Sequence, residues 1–359
     1  MKRAVICVDS PELHIPQYQG YSIMVVNPAT PSQRLKYLLD NSDYSLLVTD
    51  TEISQRNGGD YNEAALWYTS GTTGDSKFCS FDQQQLDHLA NTICQEYKIT
   101  GNDRYLSIMP LWHAHGLGLY WAAKKAACEV KYIKPAELRN SIDYSPTIVS
   151  AIPDFLRLLT KQTFPELRFV RSASSALPTK LYSDLAAWSG KPVIEAFGMT
   201  EACSHCFTNP LNGEQRIGTV GLPSGIEARI INSQLEIQGP SVYKSGWFAT
   251  GDIAEQDDHG YFKIIGRLQD RINVRGYKID PLSVENQLYI NVPNIGHVAV
   301  FGKDRVMCVY TGSASEQQVR QAIVDIDYHC SPRLVQQIKS IPLNNAGKVS
   351  RSTLTELYK

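Results

Sequence analysis

The chain has 359 residues, too many for one ordinary compact core, so two or more domains are expected. Apolar residues make up 43% and charged ones 20%, which excludes a disordered chain, and a net charge of −1 gives no global field towards nucleic acid or an anionic membrane. No stretch reaches the about eighteen apolar residues of a membrane span, and the eight scattered cysteines are not the dense framework of a small secreted domain, so the cytoplasm is the expected compartment.

Met1-Lys2-Arg3 followed by residues 4–8 opens like a leader peptide, but the apolar run is too short, and Asp9 and Pro11 end it. Residues 23–26 have a buried-strand pattern, 32–39 read as a helix capped by Thr30 or Ser32, and 46–49 as a second strand. The alternation continues with a strand at 64–69, a helix at 83–97, a strand at 105–109 and a helix at 119–127. Strands at 130–133 and 148–151 and a helix at 154–160 follow. This order predicts a layered α/β sheet with right-handed crossovers.

After Thr219 the texture changes. Short strands at 226–231 and 234–237 join at Asn232-Ser233 as a hairpin, and a strand at 261–265 follows the His259-Gly260 turn. Beyond Gly266 the pattern predicts a helix at 282–289, strands at 298–301 and 306–310, and a helix at 317–326. A glycine-containing loop at 344–348 and a closing helix at 352–358 complete it. The expected architecture is a large layered α/β domain with a small β-rich part, residues 1–268, and a small mobile α+β domain, residues 269–359.

Thr69-Ser70-Gly71-Thr72-Thr73-Gly74-Asp75-Ser76-Lys77 lies between a predicted strand and a predicted helix. Two glycines let successive backbone N–H groups face an anion, the hydroxyls add donors and Lys77 adds a point charge, a set that suits a triphosphate. It is not a Walker A loop, which has four residues between its glycines and a lysine directly after the second. Taken alone, such a Ser/Thr/Gly cluster also reads as an ordinary loop. Cys203-Ser204-His205-Cys206 is a single CxxC pair, read as pocket or core thiols rather than a metal or redox site, and His113-Ala114-His115 lacks nearby acidic or thiol partners.

Residues 68–77 resemble the phosphate-loop signature of the adenylate-forming superfamily: acyl- and aryl-CoA synthetases, peptide-synthetase adenylation domains and luciferase. Further motifs follow in that family's order. Pro110-Leu111-Trp112-His113-Ala114-His115-Gly116 resembles the segment bordering the acyl pocket. Glu195-Ala196-Phe197-Gly198-Met199-Thr200-Glu201 resembles the motif whose Thr contacts the α-phosphate and whose Glu holds Mg²⁺. Phe248 to Asp252 resembles the ribose motif, and Gly266-Arg267 onward the hinge. Pro342 to Arg351 resembles the loop carrying the catalytic lysine.

The resemblance implies ATP-dependent activation of a carboxylic acid to an acyl-adenylate, followed by transfer to a thiol of CoA or of carrier-protein phosphopantetheine. It implies catalytic roles for Lys348, Thr200, Glu201 and His113. Thr69, Ser70, Gly71, Thr72, Thr73, Gly74, Lys77, Ser174, Glu195, Ala196, Phe197, Gly198, Asp252 and Arg267 would hold ATP, with Glu201 as the Mg²⁺ ligand and Gln269 at the hinge. His113, Leu117, Ile152, Ser172, Ala173 and Cys203 are expected to wall the acid pocket. Residues 111–120 contain no carboxylate to pair an α-ammonium, so the acid is expected to be aryl or acyl without an α-amine.

Departures from the family pattern are Ser76 before the loop lysine, Gln269 where Asp or Lys is common, and Ser172-Ala173-Ser174-Ser175 where a Gly pair is common. The phosphate loop also falls early, which implies a reduced first subdomain, slightly favours a carrier protein as acceptor and exposes surface for a possible homodimer. Transfer of the acyl group to an amine, or an idle partner or scaffold role, are the alternative readings.

Overall fold

The computed structural model describes residues 1–8, 15–18, 20–68, 77–140, 142–343 and 349–359. Among these, strands β1 (Arg3–Cys7), β2 (Ser22–Val25), β3 (Leu46–Thr49), β4 (Ile53–Gln55), β5 (Ala65–Tyr68) and β6 (Phe78–Phe81) form a sheet in the order β4-β3-β1-β2-β5-β6. The leader-like run is therefore β1, at the middle of the sheet, paired in parallel with β2 and β3. Its residues are buried on both faces, which is why it reads as a continuous apolar run instead of an alternating one.

Helix α1 (Ser32–Ser42) covers one face of this sheet, packing Leu38 against Val5, Met24 and Leu66. Its N-cap is neither of the expected residues but Pro31, with φ −53° and ψ 141° and no side-chain cap bond. Proline's fixed φ holds that extended entry, so Ser32 becomes the first helical residue.

The second sheet contains β7 (Arg104–Ser107), β8 (Glu129–Tyr132), β9 (Ile148–Ala151), β10 (Phe169–Ser172), β11 (Val193–Phe197), β12 (Phe207–Thr208) and β13 (Leu222–Pro223). Their order is β13-β12-β11-β10-β9-β7-β8, parallel from β11 to β8. Helices α2 (Gln83–Tyr97) and α3 (Ala114–Lys125) lie between the two sheets, in one apolar cluster with Ala4 and Ile6 of the first and Tyr105, Phe169 and Ile194 of the second. Helices α4 (Pro153–Leu159) and α5 (Thr179–Ser189) cover the far face, over Leu106, Val149, Val170 and Val193. The result is a five-layer α-β-α-β-α stack.

The middle layer dictates α3's composition: a helix packed on both sides is apolar nearly all round. It begins five residues before the expected start, because Gly116 and Gly118 dilute the apolar pattern. A Cβ on Gly116 would lie 2.4 Å from the Pro110 carbonyl oxygen, and one on Gly118 2.8 Å from the Ser204 Cβ, so both glycines permit close packing.

β14 (Glu227–Ile231), β15 (Gln234–Gln238), β16 (Phe248–Gln256) and β17 (Phe262–Arg267) form an antiparallel sheet with its own apolar cluster. A 3-10 turn, Leu268–Asp270, leads into the hairpin β18 (Ile272–Val274) and β19 (Tyr277–Ile279). Then β20 (Ile295–Phe301), β21 (Met307–Gly312) and β22 (Leu334–Gln337) form a three-stranded sheet. Helices α6 (Pro281–Asn291) and α7 (Glu316–Ile326) cover one face of it, and α8 (Arg351–Leu357) the other.

Arg351 anchors that last helix. Its Nη2 lies 2.7 Å from both Glu285 carboxylate oxygens, its Nε donates to the Val300 carbonyl at 3.1 Å, and its Nη1 lies 3.6 Å from Asp270 Oδ2. The helix after the glycine loop is thereby tied to the turn that follows the β-rich part. Among the described residues no helix is long and apolar enough to cross a membrane.

Candidate active site

Strands β7, β9, β10 and β11 run in parallel with aligned carboxyl ends: Ser107 is level with Ser150, and Ser172 with Ala151 and Glu195. The segments leaving those ends carry His113, Ile152, Ala173, Ser174 and residues 198–201, while Ala196 and Phe197 close β11. Open α/β sheets bind ligands along this carboxyl edge, where neighbouring crossovers splay apart. His113 is the extended N-cap residue of α3 and half-buried, Ile152 occupies the same place on α4, and Thr200 and Glu201 start the 3-10 turn Thr200–Ala202.

Not every expected wall residue faces open space. Leu117 is 3% exposed and Cys203 0%, and both belong to the apolar cluster between the sheets. Ser172 is fully buried at the end of β10, and its Oγ has no hydrogen-bond partner among the described residues. The thiol of Cys203 is pushed well up, and that of Cys206 up to about 12, both chiefly by burial, so both stay protonated at neutral pH. Core thiols are the consistent reading of the CxxC pair.

Residues 69–74 of the phosphate loop and Lys348 lie outside the described residues. Lys77 is exposed, directly before β6. Burial pushes the Cys79 thiol up to about 12, with the Glu201 charge adding to the rise and Lys77 and Lys244 opposing it. The Cys206 thiol is raised further, beyond the effect of burial, by the Asp252 and Glu201 charges. The Glu201 backbone carbonyl accepts the Tyr243 N–H at 2.9 Å. Its half-buried carboxylate is in no ion pair among the described residues. A single carboxylate is a donor that Mg²⁺ carried on ATP would accept, since phosphate oxygens and water supply its remaining ligands.

Asp252 and Arg267 face each other across β16 and β17, with Arg267 Nε donating to Asp252 Oδ1 at 2.9 Å. Asp252 is 2% exposed, whereas the Arg267 side chain is 43% exposed, so the arginine holds the carboxylate from the outside. Gln269 is exposed in the turn just beyond.

Glu195 is buried, and its Oε1 accepts the Leu177 N–H at 3.0 Å, while Oε2 has no partner among the described residues. Its carboxyl therefore holds the turn after β10 from inside. Burial raises its pKa from 4.5 to about 7, against the smaller opposing effect of the Leu177 bond. Between those values the native state keeps a proton that the unfolded chain has released, so stability falls as pH rises through the window and levels off above about pH 7. Glu195→Gln should match the native protein near pH 4.5 and exceed its stability by about 3 kcal/mol at pH 8, as read from denaturant midpoints at the two pH values.

The sequence reading assigned no role to a buried polar cluster beneath this edge. Arg171 of β10 is 2% exposed. Its Nε donates to Tyr97 OH at 2.9 Å, its Nη1 lies 2.8 Å from His115 Nε2 and 3.2 Å from Ser150 Oγ, and its Nη2 lies 3.3 Å from His205 Nδ1. His115 Nδ1 reaches Ser174 Oγ at 2.9 Å, and His205 Nε2 reaches Ser224 Oγ at 3.1 Å. Ser224 in turn donates to Glu96 Oε1 at 3.0 Å. The available signal was an arginine inside the apolar run of residues 169–173, beside a His-x-His pair.

A family model described as AMP-binding enzyme matches residues 60–243, just over half of the chain. The chain is 30% identical over 345 residues to an oxalate–CoA ligase of Arabidopsis thaliana, an alignment taking in 83% of this chain and 66% of that protein. It is 29% identical over 337 residues to a sulfoacetate–CoA ligase of Cupriavidus necator, covering 81% of this chain and 66% of the other. The chain thus spans just under two thirds of the length of these curated relatives.

Its fold matches ATP-bound MatB from Rhodopseudomonas palustris with a TM-score of 0.86 at 21% identity, over 100% of this chain and 89% of that one. It also matches O-succinylbenzoate coenzyme A synthetase from Bacillus subtilis, in complex with ATP and magnesium ion, with a TM-score of 0.84 at 21% identity, over 98% and 89%. At that identity the structural likeness establishes the α/β fold, and the sequence match over residues 60–243 establishes the family. The chain belongs to the AMP-binding enzyme family.

Proposed function

We propose that this protein joins a small carboxylic acid to AMP, releasing pyrophosphate, and then passes the acyl group to the thiol of CoA. The observation that carries this reading is the carboxyl edge of the parallel strands, where His113, Thr200 and Glu201 follow the strand ends, together with the buried Asp252 held by Arg267 at 2.9 Å. ATP laid along that edge would meet a cation for its phosphates, a carboxylate for its metal and a buried acceptor for its ribose.

The acid's carboxylate attacks the α-phosphorus, the bond to the β-phosphate oxygen breaks, and pyrophosphate leaves. Residues 69–74 and Lys77 hold the β- and γ-phosphates, while the Thr200 hydroxyl orients the α-phosphate. Mg²⁺ bound through Glu201 would offset phosphate charge. Asp252 accepts from the ribose hydroxyls, with Arg267 holding it in place. His113 borders the acid, and Lys348 donates to the carboxylate and the α-phosphate as charge builds between them. Residues 269–359 then turn about Gln269, removing Lys348 and admitting the thiol.

The relatives' names support CoA as the acceptor over a carrier protein and, with oxalate and sulfoacetate among them, support a short acid lacking an α-amine. Mixing the protein with ATP, Mg²⁺ and a panel of short acids, first without and then with CoA, tests this by mass spectrometry. Acyl-AMP without CoA and acyl-CoA with it are expected. Hydrolysis of ATP with neither product would sink the proposal.

A further inference from the structure

The cluster around Arg171 has determinate proton positions. A guanidinium has only donors, so each ring nitrogen facing it must be the unprotonated one. His115 therefore carries its proton on Nδ1 and gives it to Ser174 Oγ, and His205 carries its proton on Nε2 and gives it to Ser224 Oγ. Burial and the Arg171 charge both hold the His205 pKa well below its ordinary value, consistent with a neutral ring.

The buried charge is thus conducted outward along two arms. One runs through His205 and Ser224 to the Glu96 carboxylate, which offsets it. The other runs through His115 and ends at Ser174. No carboxylate pairs directly with Arg171 among the described residues, although a buried cation normally demands one.

Ser174 is half-buried, just past the carboxyl end of β10, with a left-handed backbone (φ 75°). Because its oxygen accepts from His115, its own hydroxyl proton remains for an acceptor, and no other hydrogen bond to that hydroxyl forms among the described residues. A ligand atom meeting it there meets a donor polarised by a buried positive charge.

Resting on the acid-activating reading above, we propose that the Arg171–His115–Ser174 relay selects a short acid carrying a second anionic group, such as a dicarboxylate or a sulfonated carboxylate. The carboxylate to be activated lies towards Thr200, beyond the end of the neighbouring strand β11, and the second anion lies at Ser174. Adjacent strands are about 5 Å apart, so only a few carbons separate the two groups. Arg171 and His115 act through Ser174 and are positioning residues; Ser174, expected from the resemblance to hold ATP, on this proposal contacts the acid instead.

Acid-dependent pyrophosphate exchange with matched pairs, malonate against propionate and succinate against butyrate, tests this. The dianionic member should be favoured by about 100-fold in kcat/KM, the effect of a charge-assisted contact in a largely desolvated site. Arg171→Lys, which keeps the charge, should retain most of that preference. Arg171→Gln should collapse it by raising the KM for the dianionic acid while leaving the KM for ATP in place, a split that general damage to the fold would not produce.

Equal use of both members of each pair by the native protein, or an unchanged preference in Arg171→Gln, would overturn the proposal. If neither variant folds, the native panel decides alone. Exchange with monoanionic acids only would remove this inference and leave acid activation standing. Exchange with no acid of either kind, while ATP still binds, would remove both.

Discussion

Lys348→Ala should lower acid-dependent pyrophosphate exchange by about 10²–10³-fold while ATP affinity changes little. The lysine precedes Val349, which bridges to Leu343 across the loop, and Ser350 donates to the Pro342 carbonyl at 2.9 Å. Both flanks of the loop are therefore held, and Arg351 fixes the following helix to Glu285 and lies beside Asp270. On the proposed mechanism, the lysine's charge meets its partners most fully when negative charge spreads between carboxylate and α-phosphorus. Its loss then falls on kcat. Lys77, which would hold phosphates in the ground state as well, should differ: Lys77→Ala should act mainly through the KM for ATP. Isothermal titration with ATP beside exchange kinetics separates the two, and a wild-type exchange rate in Lys348→Ala would refute its assignment.

Gly198→Ala should abolish activity and destabilise the protein by more than about 3 kcal/mol. A Cβ there would stand 1.5 Å from the Ser204 carbonyl oxygen and 2.4 Å from its carbon, a collision with backbone that no side-chain rotation relieves. The segment it would displace carries Thr200 and Glu201, and Cys203 and Ser204 already hold left-handed conformations with φ of 55° and 86°. Gly190→Ala provides the comparison. That glycine caps α5 with φ 59° and nothing within 4 Å, so only the conformational penalty remains, about 1 kcal/mol. Denaturant melts of both variants against the native protein measure the difference, and equal losses would show that the clash at residue 198 relaxes.

Where a segment satisfies its own end signals, the sequence stated its bounds. Helix α2 begins and ends as read because Asp82 and Gln85 form a capping box and Lys98 closes the other end in the left-handed conformation. Where tertiary packing sets the composition, the reading slipped. Helix α3 was read five residues late because its two glycines answer to Pro110 and Ser204 rather than to helix propensity. Residues 4–8 are too short for a leader, yet nothing in them marks a strand, because a strand covered on both faces has no alternation to display. β10 was not read at all, since Arg171 interrupts its apolar run.

The site divided in the same way. Lys77, Glu201, Asp252 and Arg267 each sit in a local motif and so stand out as candidates, yet the pairing of Asp252 with Arg267 depends on strand register, which no local motif states. Glu195 belongs to a motif expected to hold ATP, and its Oε1 accepts the Leu177 N–H, a contact that the motif does not state. The relay from Arg171 joins residues 97, 115, 150, 171, 174 and 205, drawn from two helices, two strands and two loops. Only the fold brings them together.

The most direct test of acid activation is isotope exchange between pyrophosphate and ATP with the unmodified protein, measured acid by acid. Exchange that depends on adding one or more short carboxylic acids, and that vanishes when the acid or Mg²⁺ is withheld, is the predicted result. ATP binding with no exchange for any acid in the panel would contradict the account.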